Sequence, residues 1–238
     1  MKVILGTYRG PAFVERALLS LSENLTGWDE LTIVDDSGNS DWVDNYNNSM
    51  VTFEDNDSRI FPKVIALPGQ GYNAAMQAVC AEAGDDRFMF WEEDFILKEP
   101  VDLDNLSELL DEHPELAQIA LLRGPHFPIE HEHGGLLEGL QARLGKDVVD
   151  IQTYLSVEPG RSANGMTQLL AFAKIITQRG TFTCNPAVWQ TGVAGLGWPR
   201  GKWSEDAKRD ELLALGYRFG FLPGVKVEHD GERSGHGY

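Results

Sequence analysis

Short apolar runs alternate with amphipathic segments along the first hundred residues of the chain. Four of these runs have the length and composition of buried strands: Lys2–Thr7, Leu31–Val34, Lys63–Leu67 and Arg87–Trp91. Between them, apolar residues at helical spacing predict helices over Pro11–Ser22 and Tyr72–Ala83. Strands that alternate with helices favour a mainly parallel central sheet with helices on both faces, so we expect an α/β fold.

The second half of the chain is less regular. Helices are predicted over Val101–Glu112, Asn185–Thr191 and Ser204–Leu215. The predicted strands are Leu116–Leu122, Val148–Leu155, Thr181–Cys184, Arg218–Leu222 and Val225–His229. The polar segment Asn45–Ser58 is expected as a loop, and the Gly-, His- and Pro-rich segment Arg123–Gly139 as an excursion.

The chain contains no internal repeat and no low-complexity linker. We therefore expect one domain over residues 1–238, with two functional halves that divide near residue 98. Hydrophobic residues make up 42% of the sequence, enough for a sizeable core. No apolar run approaches the roughly 20 residues that span a bilayer, and the N-terminal run predicts a first strand and not a signal peptide.

Cysteine usage and charge narrow the function further. Cys80 and Cys184 are far apart and have no CxxC neighbour, which indicates core thiols and a reducing, cytoplasmic location. The net charge of −17 repels nucleic-acid backbones, so DNA or RNA binding is disfavoured. A diphosphate ligand would depend on a metal ion and on a few well-placed cations.

Polar residues follow each of the four early strands, at the point where the strand ends. They are Thr7-Tyr8-Arg9, Asp35-Asp36, Gly69-Gln70-Gly71 and Glu92-Glu93-Asp94. Open α/β sheets bind ligands beyond the carboxyl ends of their strands, so we expect a crevice of nucleotide size there. The two glycines would let the backbone approach a ligand, although they fit a tight turn equally well. No GxxxxGK[ST] segment is present, which excludes a P-loop NTPase.

The triplet Glu92-Glu93-Asp94 points to a metal ion. Clustered carboxylates repel one another unless a positive charge lies among them. Hard divalent cations prefer oxygen ligands and share them with substrate phosphates, so the triplet suits such a cation. Surface ion pairing is the alternative.

Candidate residues near the other end of the chain each have two interpretations. Glu205 and Asp206 could be catalytic or could belong to a capped helix start after Ser204. His229 could be structural or a metal ligand. The loop Gly197–Trp203 could contact a diphosphate through Arg200 and Lys202, or could be an ordinary loop.

Two further segments are candidates for binding roles. His126, His131 and His133 could form a second metal site, but a loop that recognises a substrate, or plain surface, is favoured. The tail after Asp230 could fold over a bound ligand through Arg233, or could fray.

Taken in order, these motifs resemble the glycosyltransferases of the GT-A fold, and most closely their family 2 group of inverting, nucleotide-sugar-dependent enzymes. The matching segments are Val3–Arg9, Thr32–Ser37, Gly69–Ala75, Glu92–Asp94, Trp203–Asp206 and His229. The resemblance implies a GT-A, Rossmann-like, mainly parallel sheet flanked by helices, with a less regular C-terminal half that binds the acceptor.

The resemblance also implies roles for the motif residues. Thr7, Tyr8 and Asp35 or Asp36 would hold the nucleoside, and Asp206 would be the general base beside Glu205. Glu92 and Asp94 would occupy the acidic positions of a DxD motif and, with His229, bind the cation. Glu at position 92 departs from the usual Asp, which makes Asp94 the firmer ligand. The remaining donor-site positions are Arg9, Gly69, Gly71, Asn73, Glu93, Arg200 and Lys202.

The implied activity is metal-dependent transfer of a sugar from a nucleotide-diphosphate sugar to an acceptor hydroxyl, with inversion. A UDP-sugar with Mn²⁺ or Mg²⁺ is expected, and a protein, glycan or small-molecule acceptor is favoured over a nucleic acid or lipid. A nucleotide-sugar-binding protein without turnover and a sugar nucleotidylyltransferase are the alternatives. The segment Gly6-Thr7-Tyr8-Arg9-Gly10 is a poor match to the Gly-rich loop of nucleotidylyltransferases.

Overall fold

The computed structural model describes residues 1–48, 51–52, 59–161 and 167–230. Arg233 and the rest of the candidate donor-covering tail lie outside the described residues, as does part of the predicted loop Asn45–Ser58. None of the helices in the described ranges is long and apolar enough to cross a membrane.

The secondary structure is a mixture of helices and strands throughout. The strands are β1 (Lys2–Thr7), β2 (Leu25–Thr26), β3 (Glu30–Asp35), β4 (Val51–Thr52), β5 (Arg59–Ile60), β6 (Lys63–Ala66), β7 (Phe88–Glu92), β8 (Phe95–Leu97), β9 (Val101–Asp102), β10 (Leu116–Arg123), β11 (Gln152–Arg161), β12 (Thr167–Gln178), β13 (Ala187–Trp189) and β14 (Arg218–His229). The α-helices are α1 (Pro11–Asn24), α2 (Ser40–Asn48), α3 (Tyr72–Ala83), α4 (Leu103–Glu112), α5 (Pro128–His133), α6 (Leu136–Leu144), α7 (Lys146–Val149) and α8 (Ser204–Ala214). A short 3₁₀ helix covers Ala194–Leu196.

A large central sheet organises the described chain, with strand order β11-β12-β14-β10-β13-β7-β1-β3-β6 and β8 paired to β14. The pairs β6–β3, β3–β1, β1–β7 and β10–β14 are parallel. The other strands of this sheet all have one direction, and β8, β12 and β13 are antiparallel to them. The predicted α/β class and mainly parallel central sheet are therefore confirmed.

Two hydrophobic clusters cover the two faces of this sheet. Val3 and Leu5 of β1 point into one cluster, which α1 and α4 complete. Ile4 points into the other cluster with residues of α3 and α8. Successive side chains of a strand point to opposite faces, and a strand buried on both faces therefore forms a continuous apolar run. This burial explains the pattern that predicted β1, β3 and β7.

Two elements of the second half differ from the prediction. The segment Asn185–Thr191 does not form a helix, because Ala187–Trp189 is strand β13, hydrogen-bonded between β7 and β10. All three of its residues are fully buried, and such a short apolar run has no period that separates helix from strand. The predicted strand Thr181–Cys184 is also wrong, since no strand is assigned to that segment.

Other boundaries are corrected by the structure. Strands predicted over Arg218–Leu222 and Val225–His229 are one strand, β14, whose register against β10 shifts beside Pro223 and Gly224. The segment predicted as strand from Val148 begins inside helix α7, and β12 was not predicted at all. The excursion after β10 contains helices α5 and α6.

A buried ion pair fixes the start of that excursion. Arg123 at the end of β10 donates to both carboxylate oxygens of Glu130, at 2.7 and 2.9 Å, and both side chains are less than a tenth exposed. Glu130 also accepts from the backbone N–H groups of His126 and Phe127. Burial alone would raise the pKa of Glu130, but these hydrogen bonds outweigh it and lower the pKa to about 2.

Replacing Arg123 by Ala is expected to destabilise the fold by about 3–5 kcal/mol, because it leaves Glu130 buried without its partner. Chemical denaturation measures the loss. Lys98→Ala is the matched control, since its ion pair with Glu228 is solvent-exposed and should contribute about 0–1 kcal/mol.

The same pair predicts how stability varies with pH. Because the folded pKa of Glu130 lies below its ordinary value of 4.5, the stabilisation is present above that value and is lost as pH falls toward about 2. Glu130→Gln should flatten that part of the stability–pH curve, and an unchanged curve would contradict the assignment.

Candidate active site

The ends of three neighbouring strands meet at one edge of the sheet. Thr7 of β1 lies beside Asp35 of β3, and Gly6 lies beside Glu92 of β7. Backbone hydrogen bonds continue past the strands, from Asp36 N–H to the carbonyl of Thr7 and from Glu93 N–H to that of Gly6. The structure therefore gathers the predicted polar strand ends in one place.

A cavity of about 340 Å³ opens at this edge, within the range of about 300–1,000 Å³ that small-molecule sites occupy. Ala75, Met76, Val79 and Phe90 form its apolar wall. The predicted site residues that line it are Thr7, Tyr8, Asp36, Gly69, Gly71, Glu92, Glu93 and Asp94. The cavity thus combines an apolar wall with convergent polar groups.

The two aspartates after β3 have different structural roles. The carboxylate of Asp36 accepts hydrogen bonds from the backbone N–H groups of Gln70 and Gly71 and shapes the turn before α3. Gly69 and Gly71 both have positive φ, which explains the need for glycine there. Asp35 is almost fully buried and accepts from the N–H and hydroxyl of Ser37, so its carboxylate is turned inward. Burial raises the pKa of Asp35.

The members of the acidic triplet have three different environments. Glu93 is 3% exposed and accepts from the backbone N–H of Tyr8, and burial raises its pKa to about 7. Burial also raises the pKa of Glu92 well above its ordinary range, and the nearby carboxylates of Asp94 and Glu205 add to the shift. A cation among these groups would relieve their repulsion.

Asp94 lies between two nitrogen-bearing side chains. Its Oδ2 is 3.4 Å from Nη2 of Arg9 and 3.3 Å from Nε2 of His229. His229 lies opposite Phe95 where β8 pairs with β14, and Asp230 N–H donates to the carbonyl of Asp94. A strand from the far end of the chain therefore delivers His229 to the end of β7.

The ring of His229 packs between two other rings. Phe95 is 4.9 Å away and His126 is 4.7 Å away, measured between ring centroids. The Nδ1 atom of His229 is buried and has no hydrogen-bond partner among the described residues. Of the three histidines in the excursion only His126 reaches this site, whereas His131 and His133 are exposed.

The donor chemistry of Asp94 and His229 fits a divalent cation, because carboxylate oxygen and imidazole nitrogen both serve as ligands. Within the described ranges, however, no group of three or more His, Cys, Asp or Glu side chains is arranged to hold a metal ion. A cation at this pair would therefore need further ligands from a substrate or from water.

The acidic pair at the start of α8 is divided between the interior and the surface. Glu205 is partly buried and accepts from the Tyr72 hydroxyl at 2.8 Å. Burial raises its pKa, the Tyr72 hydrogen bond lowers it and the charge of Asp206 raises it. Asp206 is 56% exposed and pairs with Arg209 at 2.6 Å. Ser204 is the first helical residue and not the cap, which is Trp203 without a side-chain hydrogen bond.

The loop before α8 is anchored at two points. Trp198 is buried and stacks on Trp189, and Asn73 donates to the carbonyl of Gly201 at 2.9 Å. Asn73 thus holds the loop and does not line the strand-end cavity. Arg200 and Lys202 are exposed, and neither makes an ion pair with another residue in the described part of the chain.

Comparison with known proteins identifies the fold. No protein-family model matches the chain, and no curated protein matches it. Among solved structures, the mannosyltransferase PcManGT from Pyrobaculum calidifontis, in complex with GDP-Man and Mn²⁺, has a TM-score of 0.59 at 12% identity over 98% of this chain and 57% of its own. S. aureus TarS 1-349 with UDP-GlcNAc has a TM-score of 0.56 at 17% identity, over 100% of this chain and 61% of its own. This chain therefore spans about three-fifths of these two proteins.

A UTP-bound UGPase from Acinetobacter baumannii also matches, with a TM-score of 0.53 at 13% identity over 98% of this chain and 90% of its own. The solved structures that share this architecture thus include GT-A-like glycosyltransferases and a nucleotidylyltransferase. The chain has a GT-A, Rossmann-like fold.

Proposed function

We propose that this protein is a metal-dependent glycosyltransferase that moves a sugar from a nucleotide-diphosphate sugar to an acceptor hydroxyl, with inversion. The observation that carries the proposal is the meeting of Asp94 and His229 beside the strand-end cavity. The fold supports it, because two of the solved structures that share it hold a nucleotide sugar, one of them with Mn²⁺.

The donor nucleoside would lie against the ends of β1 and β3. Thr7, Tyr8 and Asp36 line the cavity there, and the glycine turn at Gly69 and Gly71 leaves backbone room for the ligand. Asp35 would contribute indirectly to nucleoside binding, because its carboxylate stabilises the turn at Ser37. A UDP-sugar is the proposed donor.

The donor diphosphate would lie near Asp94. Asp94 and His229 would hold the cation, which would supply positive charge for the leaving group. Glu92 is a further candidate ligand. The charge of Asp94 raises the pKa of Glu92, so the two carboxyl groups lie near each other. Arg9 lies against Asp94 and supplies a fixed positive charge for a phosphate oxygen. Arg200 and Lys202 could supply further positive charge from the exposed loop.

We propose that the general base belongs to the pair Glu205 and Asp206. The family resemblance favours Asp206, whose carboxylate is accessible at the surface but already paired with Arg209. The position of Glu205 favours it as the base. Its carboxylate accepts from Tyr72 of the donor cavity, and its charge raises the pKa of Glu92, which lines the same cavity. The base would take the proton of the acceptor hydroxyl while the hydroxyl oxygen attacks the anomeric carbon in line with the departing nucleoside diphosphate, which gives inversion.

A sugar nucleotidylyltransferase is the second candidate, because the UGPase likeness extends over most of that protein. The strand-end segment around Arg9 lacks the Gly-rich loop expected for that reaction. Incubation with a nucleoside triphosphate and a sugar phosphate tests it, and release of pyrophosphate would replace the transferase proposal.

We expect metal and nucleotide binding to depend on each other, because Asp94 and His229 alone do not complete a coordination shell. UDP with Mn²⁺, each at saturation, should raise the melting temperature by about 5 °C or more, well above the sum of the separate shifts. Asp94→Asn should remove the joint shift, and Asp41→Asn, on an exposed face of α2, should keep it. Equal shifts with and without Mn²⁺ would contradict metal dependence.

Replacing the base should lower kcat by about 10²–10⁴-fold and leave binding of UDP and Mn²⁺ unchanged. We expect this from Glu205→Gln, with a smaller loss from Asp206→Asn, and the reverse order would assign the base to Asp206. If both variants keep full turnover, neither residue is the base.

The pH profile separates these outcomes further. Activity that depends on ionised Glu205 falls as pH drops through its raised pKa. Tyr72→Phe removes a hydrogen bond that lowers this pKa, so the acidic limb should move to higher pH.

A further inference from the structure

A second cavity, of about 490 Å³, is lined in part by Glu205. It is enclosed by helices α5 and α6, the segment 181–185 and the first turn of α8. Tyr72 lines the donor cavity and donates to Glu205, which lines the second cavity. One hydrogen bond therefore connects the linings of the two cavities, and its acceptor is a carboxyl group.

The lining of the second cavity has an apolar side and a polar side. Leu136, Leu140 and Phe221 lie on the apolar side. Thr183 and Asn185 belong to the polar side, where the side-chain amide of Asn185 makes no hydrogen bond to another described residue. Such a surface suits a compact molecule with hydroxyl groups and exposed C–H groups, as a sugar ring has.

Four charged side chains line this cavity: Arg123, Glu130, Arg143 and Glu205. Arg123 is fully paired with Glu130, so these two contribute no net charge. Glu205 also lines this cavity, accepts from the Tyr72 hydroxyl and makes no ion pair with Arg143. Arg143, in the last turn of α6, has no carboxylate partner within the described ranges. In a chain with a net charge of −17, the guanidinium of Arg143 thus lines a cavity without a carboxylate partner among the described residues.

We propose that the second cavity binds the acceptor, and that the acceptor is a small hydroxylated molecule with a carboxylate or phosphate group that Arg143 binds. This inference rests on the proposed transferase function and adds the chemical class of the acceptor. Guanidinium binds both anions through paired N–H donors, so either group fits. The hydroxyl to be glycosylated would face the wall formed by Glu205.

Matched monosaccharides test the proposal by saturation-transfer NMR in the presence of UDP and Mn²⁺. For glucose, galactose and mannose, the neutral hexose, its uronate and its 6-phosphate differ only at carbon 6. We expect at least one uronate or 6-phosphate to bind about tenfold or more tightly than its neutral parent. The uronate and phosphate arms identify which anion is preferred.

Substitution of single exposed arginines tests whether Arg143 is the residue that binds the anionic group of the sugar. Arg143→Ala should remove the preference for the anionic sugar, and Arg143→Lys should keep part of it. Arg179→Ala is the matched control. Arg179 is exposed and does not line the cavity, and its substitution removes the same charge. Circular dichroism checks that each variant is folded.

Several outcomes would overturn the inference. Equal binding of neutral and anionic sugars, an unchanged preference in Arg143→Ala, or binding of none of the sugars would each do so. Binding of an acidic peptide in place of every sugar would assign the cavity to a protein acceptor. The joint melting shift with UDP and Mn²⁺ is measured on the same samples, so failure of the donor site is distinguished from failure of the acceptor class.

Discussion

The site depends on the crowding of carboxyl groups at one edge of the sheet. Parallel strands end at the same edge, so the residues after β7 lie beside the end of β1. The hydrogen bond from Tyr72 to Glu205 brings the start of α8 to the start of α3. Glu92, Glu93 and Glu205 all have raised pKa values because burial disfavours their charged forms. Asp94 is instead held against Arg9 and His229. In the proposed function, this arrangement would bind a cation and a diphosphate.

Strands β13 and β14 join the two halves of the molecule into one site. Strand β13 lies between β7 and β10 and extends the N-terminal parallel strands into the second half. Strand β14 pairs with β8 and brings His229 to Asp94. The ion pair of Arg123 with Glu130 then fixes the segment that carries His126. The two cavities consequently lie on one sheet, and the hydrogen bond from Tyr72 to Glu205 connects their linings.

The first half was largely predictable, and the second was not. Helix α3 has the bounds that the helical spacing of Tyr72–Ala83 predicted, because that spacing reflects burial on one face. The three residues of β13 are too short a run to show a period, and only pairing with two neighbouring strands makes them a strand. His126 had no signal that distinguished it from His131 and His133, since its role depends on a ring contact across 103 positions of sequence.

By itself, the sequence determined the α/β class, the strand ends and the residue types that follow them, because hydrophobic periodicity is set by residues close together along the chain. Only the tertiary structure decided the direction of each side chain. It turned Asp35 inward, used Asp36 to shape the glycine turn, and exposed Asp206 while burying much of Glu205. The partners of Asp36 and Glu205, which are Gln70 and Tyr72, lie far away along the chain, and no local pattern encodes such pairs. The partners of Asp35 and Asp206 are local, and only the packing around them buries the first and exposes the second.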